Sequence, residues 1–168
     1  DLKAASREVD GLIVEAIQDA RGLAAALDPP VNPDEDLTGA IAWLVGRFEE
    51  RHGLDTELTV GPGIQGSPLR EQHGTTLLGA ARELLFNAVK HADGEGIELV
   101  LEVREGAHRV VVRDRGPGLV GTASPESGVG LSHVRRRLEG LGGGLSIQDR
   151  PGGGAEATAW LPARPGGV

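Results

Sequence analysis

Glu83, Asn87 and His91 recur at i, i+4 and i+8 inside the stretch ELLFNAVKHA, with Lys90 at their shoulder. That spacing lines up a carboxylate, an amide and an imidazole in one narrow strip of a helix. The surrounding residues Leu84, Leu85, Phe86, Ala88, Val89 and Ala92 cover most of the circumference, as in a buried helix. A buried polar group without a partner costs about 1–3 kcal/mol, so the strip must face something polar. It is either a solvated face with an i,i+4 pair or the wall of a polar site.

Two glycine loops offer complementary chemistry. In DRGPGL (114–119) an apolar strand ends on Asp114, followed by Gly116 and Gly118. Asp114 serves either as a turn residue or as an acceptor for an exocyclic amine such as adenine's, with the glycines admitting a ring close to the backbone. In SGVGLSHVRRR (127–137) the glycines run straight into a helix, whose free N–H groups and dipole suit an anion such as phosphate; a flexible turn would read the same way. Neither the GK[ST] ending of a P-loop nor the strand that precedes a dinucleotide fingerprint is present. A third loop, PGGGAEA (151–157), reads as a hairpin turn with a minor supporting role at the phosphate loop.

The elements that position these loops follow from periodicity. Val9, Leu12, Ile13, Ala16, Ala20, Leu23, Ala24 and Leu27 predict an amphipathic helix that stops at Pro29-Pro30. A second helix is predicted over 35–52, with Leu37, Ile41, Leu44, Val45 and Phe48 inward and Gly53 as its stop. DTELTV alternates as a strand, and Thr75 or Thr76 is the expected cap of the helix that runs to about Ala92. Strands are predicted at 97–103 and 108–114 as a hairpin, then a helix from Leu131 to a glycine end, then LSIQD and AEATAWLP as two more strands. Hairpins with helices between them imply an α+β fold, helices layered on one face of a mixed sheet. The segment 119–127, small and polar, is expected to act as a lid.

Composition excludes much else. The chain has 168 residues, 39% of them hydrophobic and 25% charged, and no apolar run near the ~20 residues of a membrane span. With no cysteine there is no disulfide, thiol catalysis or thiolate metal site. A formal net charge of −8 argues against nucleic acid as a partner. The one basic cluster is Arg135, Arg136 and Arg137, and lysine occurs only at Lys3 and Lys90.

Taken in order, the motifs resemble the ATP-binding (Bergerat) domain of the GHKL superfamily, which includes sensor histidine kinases, DNA gyrase and mismatch-repair ATPases. ELLFNAVKHA resembles its N box, DRGPGL and GVGL its first and second glycine boxes, and GGGAEATAWLP its terminal strand pair. The Lys-His pair in the N box and the ending DARGLAAALDPPV resemble histidine kinases of the nitrate-sensor-like class. The resemblance implies two regions: residues 1–30, the second helix of a dimerisation and phosphoacceptor region, and 31–168, the catalytic domain.

It further implies Asn87 as a Mg²⁺ ligand, Lys90 and His91 beside the phosphates, and Glu83 as base or orienting carboxylate. Asp114 would read adenine, while Gly116, Gly118, Gly128, Val129, Gly130 and Leu131 would shape the ATP or ADP pocket. The implied reaction moves the γ-phosphoryl of Mg-ATP to a histidine on the first helix of that dimerisation region, which the resemblance places before Asp1; His52, His73, His91, His108 and His133 lie in other contexts than the expected acceptor motif. The implied partners are that helix, from the same kinase or its dimer mate, and a response regulator. No membrane contact by this segment is expected, and the location is cytoplasmic whether or not the full-length protein is membrane-anchored. The alternatives are an anti-sigma-factor-type serine kinase, a GHKL ATPase that hydrolyses ATP to drive dimer closure, and a nucleotide-binding module without catalysis.

Overall fold

The computed structural model describes residues 29–53, 55–91, 96–118 and 129–163, with His91 and Val129 described by backbone alone. The chain divides into two compact units, Asp1–Pro30 and Val31–Val168. The helix predicted over 9–27, with its dimerisation reading, and the lid expected over 119–127 lie outside the described residues.

Helix α1 (Leu37–His52) begins where the Asp36 carboxylate accepts the Gly39 N–H at 2.8 Å. It ends at Gly53, whose φ of 64° is the left-handed conformation that glycine adopts without strain. Leu37, Ile41, Leu44, Val45 and Phe48 are all buried, as the periodicity requires. The Glu49 carboxylate then accepts the Thr56 N–H at 3.0 Å, tying the helix to strand β1 (Thr56–Val60).

Helix α2 (His73–His91) starts two residues before Thr75, the earlier of the two expected caps. The cap comes from elsewhere: Asp34 accepts the N–H groups of Gln72, Gly74 and Thr75 at 3.1, 2.7 and 3.1 Å. Strands β2 (Ile97–Arg104) and β3 (Ala107–Arg113) form the predicted hairpin. Its two-residue turn, Glu105-Gly106, has both φ values positive, matching the twist of the flanking strands. Helix α3 (Val129–Gly140) closes with Gly143 N–H donating to Leu138 O and Gly142 N–H to Glu139 O, the paired bonds of a Schellman ending. Strands β4 (Gly144–Asp149) and β5 (Ala155–Pro162) complete the domain.

The sheet order is β1-β2-β3-β5-β4, with β1 and β2 parallel and every other neighbour antiparallel. Register places Val110 between Leu101 and Ala159, and Val112 between Leu99 and Ala157. These side chains are buried, and the helices pack on them: α2 against β3 and β5, α3 against α2 and β4, α1 against α2 and β1. The alternate residues carry a polar ladder in which Arg113 bonds Glu156 at 2.7 Å and Glu98 at 3.2 Å, and Gln148 reaches Glu156 at 2.9 Å. Helices cover one face of the sheet, while the other carries this polar ladder beside the buried pair Val100 and Val111, a two-layer α+β sandwich as the hairpin pattern implied.

Candidate functional site

Strand β3 delivers Asp114 to the end of the sheet, where its carboxylate is fixed by backbone. Oδ1 accepts the Gly116 N–H at 2.9 Å and the Ala155 N–H at 3.1 Å. The Asp114 N–H donates to Ala155 O at 3.0 Å, and Arg150 Nη1 donates to Asp114 O at the same distance. The two sequence readings of Asp114 are therefore compatible. One oxygen makes the turn, and Oδ2 is the acceptor that the two amides leave over.

Glycine is required around this corner for space as well as dihedral freedom. Gly118 has φ +76°, and a Cβ there would lie 2.6 Å from Asp149 Oδ1. Gly154 has φ +87°, and its Cβ would run into the Asp114 carbonyl. The third glycine loop is thus a hairpin, as expected, but it buttresses the first glycine box. The phosphate loop that the sequence reading has it support lies mostly outside the described residues.

Helix α2 carries the polar strip as the spacing implied. Leu84, Leu85 and Ala88 are buried, Glu83 and Asn87 are half-buried, and Lys90 is exposed. Glu83 meets the second glycine box directly, because a Cβ on Gly130 would overlap Glu83 Oε2. Only glycine lets the carboxylate lie against the first turn of α3, whose leading N–H groups have no partner within the helix. Leu131 is buried and belongs to the packed side of α3 with Leu138. Gly128 and the side chains of His91 and Val129 lie outside the described residues.

Sequence reasoning missed three contributors. Asp34 and Arg150 act across some 40 positions of chain, a range no local pattern reaches. Arg82 is only 8% exposed, and its Nη2 lies 3.6 Å from Glu83 Oε1. The histidines whose pKa is displaced lie elsewhere: loss of solvent pushes the half-buried His52 and the buried His73 and His108 down.

A mixed sheet backed by helices, with an aspartate-glycine corner at one strand end and a glycine-started helix beside an acid-amide strip, defines an ATP-binding domain of the GHKL type. Residues 72–165 match the family described as histidine kinase-, DNA gyrase B- and HSP90-like ATPases, and the chain belongs to that family. It is 26% identical over 158 residues to the oxygen sensor histidine kinase NreB of Staphylococcus carnosus (strain TM300), covering 94% of this chain and 45% of that protein. It is 32% identical over 120 residues to the nitrate/nitrite sensor protein NarQ of Escherichia coli (strain K12), covering 71% of this chain and 21% of that one. The fold matches that of the Erythrobacter litoralis EL346 blue-light activated histidine kinase with a TM-score of 0.60 at 21% identity, over 75% of this chain and 45% of that chain. The chain thus spans less than half the length of each of these relatives. No helix among the described residues is long and apolar enough to cross a membrane.

Proposed function

We propose that this chain is the nucleotide-binding catalytic part of a two-component sensor histidine kinase of the nitrate-sensor-like class, which moves the γ-phosphoryl of Mg-ATP to a histidine on a dimerisation helix. The observation that carries the reading is the fixed Asp114 carboxylate, with one oxygen spent on the turn and the other left to accept the adenine amine. Residues 1–30 are read as the second helix of the dimerisation region and 31–168 as the catalytic domain. A response regulator would take the phosphoryl group onward in the cytoplasm.

The half-buried Asn87 suits Mg²⁺, which is held by few protein oxygens plus phosphates and keeps several waters. When bound, Mg²⁺ neutralises phosphate charge. Lys90 and His91 would donate to the phosphates, and Gly128, Val129, Gly130 and Leu131 would offer backbone N–H groups at the start of α3. Glu83 would orient the incoming imidazole or accept its proton. A histidine nitrogen forms a bond to the γ-phosphorus as the bond to the β-bridging oxygen breaks, and ADP leaves. Positioning and electrostatics supply the rate.

The test is to incubate the chain with labelled ATP, Mg²⁺ and a protein carrying the acceptor helix. Acid-labile label on the acceptor is expected. Acid-stable label would mean a serine kinase, and nucleotide binding without transfer would mean a binding module. Asn87→Ala is expected to lose the Mg²⁺-dependent part of ATP affinity, whereas Glu83→Gln keeps affinity and loses transfer.

A further inference from the structure

Arg82 and Glu83 are sequence neighbours on α2, and neighbouring side chains on a helix normally point about 100° apart. Here they converge, with Nη2 3.6 Å from Oε1, an ion pair rather than a close hydrogen bond. The arginine side chain is 10% exposed, although long basic side chains on a helix usually extend to water. Burying a guanidinium costs several kcal/mol unless a charge and hydrogen bonds compensate it. Its neighbours on the helix, Ala81, Leu78 and Leu85, are apolar and buried, so the guanidinium sits at the edge of the packed face with the Glu83 carboxylate beside it.

The other carboxylate oxygen is held as well. Glu83 Oε2 occupies the space that a side chain on Gly130 would take. The carboxylate is bracketed: Oε1 faces a buried cation on its own helix, and Oε2 lies against the first turn of α3. We propose that Arg82 is a positioning residue that holds the Glu83 carboxylate at the junction of α2 and α3 for phosphoryl transfer. The inference rests on the transferase reading above. In this scheme Arg82 touches neither nucleotide nor acceptor, and its effect on transfer runs through Glu83.

The experiment measures two quantities on the full chain: the dissociation constant for ADP by calorimetry, and the rate of label transfer from ATP to a supplied acceptor-helix protein. Arg82→Met is expected to leave ADP affinity within about twofold and to slow transfer by about tenfold to a hundredfold, as loss of reacting geometry does. Arg82→Lys, which restores the cation, is expected to recover part of that rate. The decisive variant is the double change Arg82→Met with Glu83→Gln, expected to be no slower than Glu83→Gln alone. Multiplying losses in the double variant would overturn the proposal, as would an Arg82→Met effect seen only in ADP affinity. If Arg82→Met does not fold, Arg82→Lys carries the same cycle. Absence of transfer by the wild-type chain would overturn the transferase reading itself, and this inference with it. Transfer that depends on Glu83 and not on Arg82 would remove this inference alone.

Discussion

Asp34 Oδ1 lies 2.7 Å from the Gly74 amide nitrogen and caps helix α2 from a loop 40 residues earlier. The first turn of a helix has amide hydrogens with no internal acceptor, and one carboxylate here takes three from Gln72, Gly74 and Thr75. The approach is so close that a Cβ on Gly74 would overlap the Pro33 carbonyl. The helix that carries Glu83 and Asn87 is therefore pinned at its start by the chain entering the domain.

Removing that cap gives the first prediction. Asp34→Ala should destabilise the domain by about 1–2 kcal/mol, the range for a lost helix N-cap. Gly74→Ala should cost more than its helix propensity suggests, because backbone rather than a side chain must move. Urea unfolding followed by circular dichroism measures both; an unchanged midpoint for Asp34→Ala would mean that water replaces the carboxylate without penalty.

Asp114→Asn isolates the base-reading oxygen. The amide can keep Oδ1 on the Gly116 and Ala155 N–H groups while presenting a donor where Oδ2 stood. Folding should survive, and adenine nucleotide affinity should fall by roughly tenfold to a hundredfold, or about 1–3 kcal/mol. Calorimetry with ADP and GDP against both forms checks it. Equal ADP affinity in a folded variant would take Asp114 out of adenine recognition.

A third prediction concerns acid. His108 on β3 and His73 at the start of α2 are 1% and 3% exposed, and neither nitrogen of the His108 ring has a well-aligned partner. Burial pushes both below their ordinary value of 6.5; the Arg70 and His108 charges add to this for His73 while Asp34 opposes it, and the Ser67 backbone opposes it for His108. A lowered folded pKa means that the unfolded chain binds protons first. Stability should be full above about pH 6.5 and decline as pH falls below it, by up to about 1.4 kcal/mol per pH unit for each histidine. Glu156, held below its ordinary 4.5 chiefly by its hydrogen bond from Arg113, adds a further loss as pH falls below that range. His108→Leu should flatten the upper limb of the stability profile between pH 6.5 and 5; an unaltered slope would assign the limb to other groups.

Much of this architecture could be read from residue order, for identifiable reasons. Leu37, Ile41, Leu44 and Phe48 repeat at the helical period and Gly53 ends the run, so α1 agreed with expectation closely. The hairpin of β2 and β3 was legible because apolar residues cluster on either side of a short polar turn. Asp34 was not legible, since a cap supplied across 40 residues leaves no local pattern, and the helix start was accordingly expected at Thr75 or Thr76 rather than His73. Arg82 was not legible because periodicity treats a charge as solvent-facing, whereas in the folded domain it is buried beside Glu83. The glycine loops were recognised as such, but only their packing shows that Gly154 serves Asp114.

Gly130→Ala separates stability from positioning. The atom that a new Cβ would meet is Glu83 Oε2, the far end of a flexible side chain, so the backbone need not move. Gly130 lies in the first turn of α3 without a positive φ, and alanine is favoured over glycine in a helix by up to about 1 kcal/mol. The variant should therefore be as stable as the wild type or slightly more so. The carboxylate, however, must swing away from α3, which leaves its pairing with Arg82 and its orienting position both altered. Transfer to a supplied acceptor helix should fall toward the level of Glu83→Gln, and adding Glu83→Gln to Gly130→Ala should bring little further loss. Thermal unfolding and transfer rates on the same preparations give the answer. A variant with wild-type transfer would show that the Glu83 carboxylate works equally well in another place, and a variant that unfolds at markedly lower temperature would show that α3 itself, rather than the carboxylate, is what gives way.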